Sequence, residues 1–273
     1  MTDIFDGKIA IVTGGTSGIG YAVSEELLKR GATVWVIGSR QESVDKAKVM
    51  LAAYKQAKFA IADVTVADDV KRVIDTCVKE DGRLDYLFNN AGILKVNPTE
   101  ESTLEDWKEI VDINLWGVIY GIYYALPVML AQNGGHIINT SSGDGLFSMP
   151  YAAMYVTTKT AVLGLTESLY YEYEPQNIAF TAVCPGNVAT PIFGGDTPKD
   201  AVPVEEAVRS ILDGVEKKER LVVVPEEFKK TIEMFCKDPG LRDMALRESA
   251  KNGLELFRSP DYKRFQGARK QRQ

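Results

Sequence analysis

A chain of 273 residues, 45% hydrophobic and 26% charged, has material for one large globular unit or two small ones and is not composed like a disordered protein. Its 32 Lys+Arg stand against 38 Asp+Glu, a formal charge of -6, which argues against nucleic acid or an anionic lipid surface as the main partner. Cys77, Cys184 and Cys236 form no Cys-x-x-Cys pair, so neither a redox motif nor a disulfide framework is expected, and they read as small hydrophobes.

The opening MTDIFDGK reaches a strand-like segment too soon for a charged leader and an apolar export core, and the carboxyl end carries no anchor signal, which predicts a cytoplasmic protein. IAIVT (9–13) is apolar without alternation, as a parallel strand covered on both faces should be. Helical spacing begins at Gly18 with Ile19, Val23 and Leu27. The alternation repeats through TVWVI (33–37) and a helix from Glu42, then KFAIA (58–62) and a helix through Val70, Val73 and Cys77, then LDYLF (84–88). A long helical region (104–130), the strand HIINTS (136–141), a helix over 153–172 and the strand IAFTAV (178–183) continue the rhythm. The most apolar stretch, GVIYGIYYALPVML (117–130), falls short of the roughly 20 residues of a bilayer crossing and contains Pro127, so it reads as a packed internal helix without integral membrane contact.

Beyond Gly186 the character changes. Residues 187–203 carry Pro191, Pro198 and Pro203 with Gly194 and Gly195 and hold no period, which predicts a mobile loop. A helix over 204–217 and the strand LVVVP (221–225) follow, and Phe228, Ile232 and Phe235 at i, i+4 and i+7 predict an amphipathic helix. Arg264, Arg269, Lys270 and Arg272 at the end read as solvated charge.

TGGTSGIG (13–20) lies between a strand and a helix, where glycines permit a tight turn and bring backbone N–H groups to a pyrophosphate at the helix N-terminus. Thr13, Gly14, Thr16, Ser17, Gly18, Ile19 and Gly20 are therefore candidate dinucleotide contacts. The phosphate loop of ATPases would need G-x-x-x-x-G-K-[ST], which this turn lacks. Strand two ends in IGSR (37–40), where an NAD site commonly places a carboxylate for the ribose hydroxyls. Ser39 and Arg40 stand there instead, a pair suited to a 2′-phosphate, so NADP(H) is favoured while NAD(H) stays open. Asp63, placed to accept from the adenine amine, and Asn90, Ala91 and Gly92 lie at the same carboxyl edge of the sheet.

Tyr155 and Lys159 are four apart in a helical stretch and share a face. A tyrosine can give a proton to a carbonyl oxygen that receives hydride, and a neighbouring ammonium stabilises the phenolate. Ser142 follows the fifth strand and can hydrogen-bond the substrate oxygen, and Asn114 can hold a water near Lys159.

With TGGTSGIG (13–20), NNAG (89–92), Asn114, Ser142, YVTTK (155–159) and PGNVAT (185–190) in this order, the chain resembles the short-chain dehydrogenase/reductase superfamily over about residues 7–225. The resemblance implies a single-domain α/β fold: a Rossmann-like, doubly wound, three-layer parallel sheet. It implies a catalytic unit over 1–225, its substrate loop at 187–203, and a helical extension over 226–273 that is no separate domain. It implies Tyr155 as general acid in carbonyl reduction and general base in alcohol oxidation. Lys159 would lower the Tyr155 pKa and bind the nicotinamide ribose, Ser142 position the reacting oxygen, and Asn114 organise a water path. Asp63 and Val64 would bracket adenine. Thr190 and the Val188 backbone would orient the nicotinamide amide, with Pro185 and Gly186 among the cofactor residues. Two departures stand out: Ser17 occupies the place where many members carry a basic residue for NADP, and LVVVPEEF (221–228) leads into further residues in place of an Asp-Gly-Gly tail.

Substrate walls are expected from Asp144, Phe147 and Met149 after Ser142, and from Ile192 and Phe193 in the loop, a palette for a ketone or secondary alcohol with a hydrophobic or cyclic body. Asp144 either binds a substrate hydroxyl or caps a turn. Competing readings are an epimerase or dehydratase with retained cofactor and a nonenzymatic NADPH sensor or scaffold. His136 is the chain's one histidine and begins a strand, against zinc chemistry or a Ser-His-Asp hydrolase, so no metal is expected. A homodimer or homotetramer is expected through the helices at 104–130 and 153–172.

Overall fold

The computed structural model describes residues 3–194 and 197–259. The apolar runs become seven strands: β1 (Ile9–Thr13), β2 (Thr33–Gly38), β3 (Ala57–Ile61), β4 (Tyr86–Asn89), β5 (Gly135–Thr140), β6 (Ile178–Pro185) and β7 (Leu221–Val224). They form one parallel sheet in the order β3-β2-β1-β4-β5-β6-β7. Between them run α1 (Gly18–Lys29), α2 (Gln41–Met50), α3 (Ala67–Asp81), α4 (Leu104–Val111), α5 (Gly117–Ala131), α6 (Ala153–Tyr173) and α7 (Val204–Glu216), and α8 (Glu226–Lys237) and α9 (Pro239–Arg258) follow the last strand.

The missing alternation in the strands has its cause in the two layers of helices. Ala10 and Val12 of β1 pack with Val23 and Leu27 of α1 and Val208 and Ile211 of α7 on one face. Ile9 and Ile11 pack with Ile74 of α3 and Ile122 of α5 on the other. Each side chain of this kind, moved fully out of water, is worth about 1.5–3 kcal/mol, so both faces of the sheet must be apolar. The result is the single-domain, three-layer Rossmann-like sheet expected, with additional C-terminal helices.

α4 and α5 are joined by a wider π turn, Asp112–Trp116. Together they make a continuous run, Leu104–Ala131, long and apolar enough by length and composition to cross a membrane. The run matches the helical region read over 104–130, of which 117–130 is the most apolar part. Its inward face, with Val118, Ile122, Ala125 and Met129, nonetheless packs into the core, while Trp116, Tyr123 and Leu130 are exposed. The segment 187–203 also differs from an irregular loop: a parallel bridge joins Val188 to Val202, and Pro191–Phe193 form a short 3-10 turn. Cys77 and Cys184 are buried as expected of small hydrophobes, whereas Cys236 is exposed on α8. Gly195 and the basic residues Arg264, Arg269, Lys270 and Arg272 lie outside the described residues.

The chain winds from β1 outward to β3 and then returns to place β4 on the other side of β1. The loops leaving β1 and β4 therefore diverge and open a crevice at the carboxyl edge, the place where sheets of this kind bind ligands.

Candidate active site

Thr13 ties the two diverging loops together. Its Oγ1 accepts from the amides of Asn90 at 3.0 Å and Ala91 at 3.1 Å, and Asn90 Nδ2 donates to the Thr13 carbonyl at 3.1 Å. This close approach requires glycines. Gly14 and Gly18 take φ of 63° and 54°, and a methyl group on Gly20 would lie 2.4 Å from both the Gly14 oxygen and Asn90 Nδ2. Ser17 precedes α1 without a side-chain cap, which leaves the first amides of the helix for an anion. A narrow glycine cradle ending at an uncapped helix suits the pyrophosphate of a dinucleotide. Ser39 and Arg40 follow β2 and are exposed, and among the described residues no carboxylate pairs with Arg40. Thr16 lies over the end of β2, where a methyl on Gly38 would meet its Cγ2 at 2.7 Å.

Asp63 and Val64 follow β3 at the same edge of the sheet. Asp63 Oδ1 accepts from the amide and hydroxyl of Thr65, at 2.9 and 2.8 Å, in its own turn. Val64 packs against Gly117, where a methyl would approach its Cγ2 to 2.9 Å.

Tyr155 and Lys159 are buried on the first turns of α6. Lys159 Nζ donates to the Thr140 carbonyl at 2.8 Å and stands 5.6 Å from the centroid of the Tyr155 ring. Ser141 Oγ holds the helix from the other side by donating to the Lys159 carbonyl at 2.7 Å. Ser142 Oγ accepts from the Asp144 amide at 3.1 Å, capping the short turn Gly143–Gly145. Asn114, in the π turn, accepts from Ile93 N at 2.8 Å and donates to Ile93 O at 2.9 Å and Thr158 Oγ1 at 3.3 Å. It thus clamps the loop after β4 to α6. A methyl on Gly92 would meet Asn114 Oδ1 at 3.2 Å and Lys159 Nζ at 3.5 Å.

Burial governs the titration of the pair. It raises the Tyr155 phenol well above its ordinary value, opposed by a hydrogen bond with Ser142. It lowers the Lys159 ammonium to about 8. Desolvation is the largest influence on the phenol, and the Lys159 ammonium is turned to the Thr140 carbonyl. At neutral pH Tyr155 keeps its proton and is suited to donate it.

A cavity of about 890 Å³ joins these parts. Its wall includes Gly14, Ser17, Gly18 and Ile19, then Asn90, Ala91 and Gly92, then Ser142, Tyr155 and Lys159, and Pro185, Gly186, Val188 and Thr190. Asp144, Phe147, Met149, Ile192 and Phe193 also line it. Thr13, Thr16, Gly20, Ser39, Arg40, Asp63, Val64 and Asn114 do not. They support the wall or lie along the outer edge of the sheet.

Sequence reasoning missed one wall, formed by Glu227, Phe228 and Thr231 of α8. The Phe228 ring fills the space left by two glycines: a methyl would meet it at 2.2 Å from Gly143 and at 3.1 Å from Gly186. Phe147 is 5.8 Å from Phe228 and 5.9 Å from Phe235, ring to ring. α9 packs behind this wall, with the Tyr151 ring tilted against Phe257 at 4.8 Å, its hydroxyl donating to the Ala250 carbonyl at 3.0 Å, and Ser249 Oγ donating to Met149 Sδ at 3.3 Å. The i, i+4, i+7 spacing of α8 announced an apolar face and could not say that a cavity lay beneath it.

The profile of the short chain dehydrogenase family matches residues 8–201. Among curated proteins, the chain is similar to a cyclohexanol dehydrogenase of Acinetobacter sp. (strain SE19), 36% identical over 195 residues that cover 71% of this chain and 78% of that one. It is also similar to a 3beta-hydroxysteroid dehydrogenase of Mediterraneibacter gnavus, 34% identical over 253 residues, covering 86% and 90%. Among solved structures, a short chain dehydrogenase/reductase from Burkholderia phymatum in complex with NAD superposes with a TM-score of 0.80 at 25% identity, covering 89% of this chain and 97% of that one. ElxO with NADP bound gives 0.75 at 28% identity, covering 82% and 99%.

Proposed function

This chain belongs to the short-chain dehydrogenase/reductase family, an NAD(P)-dependent oxidoreductase of carbonyl compounds and alcohols, and from that premise we propose that it interconverts a ketone and a secondary alcohol of hydrophobic or cyclic body, with NADP(H) preferred. The observation that carries the reading is the single cavity whose wall holds both the glycine turn and the Ser142, Tyr155 and Lys159 side chains. The glycine turn and Lys159 would hold a nicotinamide nucleotide, which when bound would supply hydride for carbonyl reduction and accept it in alcohol oxidation. The remaining work is the protein's. Ser142 Oγ and the Tyr155 hydroxyl hold the substrate oxygen, and Tyr155 gives its proton to that oxygen in reduction and takes it back in oxidation. Lys159, fixed by the Thr140 carbonyl, holds positive charge below the phenol.

Ser39 and Arg40 support the NADP(H) preference, since a guanidinium can pair with a 2′-phosphate. Relatives are known with either nucleotide bound. The apolar side chains of the wall support a hydrophobic or cyclic substrate, in keeping with the cyclohexanol and hydroxysteroid enzymes among the relatives. We read residues 1–225 as the catalytic unit and 226–273 as its extension, and place subunit contacts on α4, α5 and α6, where Leu104, Tyr123 and Tyr171 are exposed. The three free cysteines suit a cytoplasmic setting.

Tyr155→Phe tests the assignment. Turnover, followed by nicotinamide absorbance, should fall by about 10²–10⁴-fold while nucleotide binding persists; a folded variant with near-parental turnover would remove Tyr155 from the reaction.

A further inference from the structure

We propose that Asp144 anchors the substrate, its carboxylate accepting a hydrogen bond from a hydroxyl the substrate carries in addition to the group being oxidised or reduced. This rests on the ketone–alcohol reading above and names a substrate class for it: hydroxylated alcohols and ketones ahead of plain ones.

The turn that carries Asp144 does not need its side chain. Ser142 Oγ caps that turn through the Asp144 amide, so the capping role that the sequence left open belongs to Ser142. Among the described residues no N–H, O–H or cation bonds the Asp144 carboxylate. It nevertheless lines the cavity beside Phe147, Met149 and Phe228, and burial pushes its pKa up to about 6. Asp144 is part-buried, so its carboxylate is reachable from the cavity while no protein donor occupies it. A ligand hydroxyl can take up that acceptor in a setting poorer in water than the bulk.

The other charges of the wall narrow the choice of ligand. Asp200 already accepts from Asn187 Nδ2, at 3.1 and 3.0 Å, and Glu227 is exposed. Among the described residues Lys159 is the one cation of the wall, and it is committed to Thr140 O. Among the described residues an anionic substrate would find no second cation in the wall and would meet Asp144, which favours a neutral donor over acids and phosphates. A hydroxyl offers the donor and costs less to take out of water than an ammonium.

The test uses alcohols that share one ring, cyclohexanol and the 1,2-, 1,3- and 1,4-cyclohexanediols, with the oxidised nucleotide. The wild-type protein should favour at least one diol in kcat/KM by about tenfold or more, the size of a hydrogen bond to a charged acceptor and well above the factor of about two that two equivalent hydroxyls contribute. Asp144→Leu should bring that ratio to about one, and Asp144→Asn, whose amide oxygen still accepts, should keep part of it. With the reduced nucleotide bound an alcohol has no carbonyl to take hydride, so calorimetry then reads binding without turnover, and the same preference should appear in Kd even if a variant turns over slowly. Oxidation of cyclohexanol as fast as every diol, or a preference that survives Asp144→Leu, overturns the anchor and leaves the reaction assignment standing. No turnover of any alcohol or ketone with either nucleotide overturns the reaction assignment and the anchor with it.

Discussion

Replacing Lys159 by methionine should make the protein more stable and less active, and the gain in stability should fade as pH rises. Lys159 is 3% exposed, and burial takes its pKa from 10.5 to about 8. Between those values the unfolded chain binds more protons than the folded one, so stability rises with pH across that window. Below it both states are protonated, and the folded protein carries the whole penalty of about 3 kcal/mol; near pH 10 about 1 kcal/mol remains. Methionine removes the penalty at similar volume. It also strands the Thr140 carbonyl, which takes back about 1–3 kcal/mol, but that loss does not depend on pH. The stability difference between variant and parent should therefore narrow by about 2 kcal/mol from about pH 7 to pH 10. Urea denaturation at a series of pH values measures it, with turnover recorded on the same preparations. A difference that stays constant or widens with pH would refute the argument that desolvation governs this ammonium.

Gly20→Ala should weaken nucleotide binding by about tenfold or more, the equivalent of 1–3 kcal/mol of overpacking, because its methyl would meet the Gly14 carbonyl at 2.4 Å; a fluorescence titration giving parental affinity would contradict the cradle. Arg40→Ala should cost NADPH roughly tenfold or more in affinity and NADH little. Equal losses for the two nucleotides would contradict a 2′-phosphate contact.

Much of this molecule was legible in its sequence because the information is local. Apolar runs such as IAIVT (9–13) without alternation require a strand covered on both faces, and the helices between them follow from a period near 3.6. TGGTSGIG (13–20) between strand and helix, and Tyr155 four residues before Lys159 on one helical face, mark the two halves of the site. What folding decided depends on distance and water. Only the packed chain turns Phe228 inward over Gly143 and Gly186, shows that Ser142 rather than Asp144 caps the turn, and directs Lys159 to Thr140 O. The titration of Tyr155 belongs with these, since spacing tells which charges share a helical face, whereas a pKa is set by how much water the surrounding elements remove.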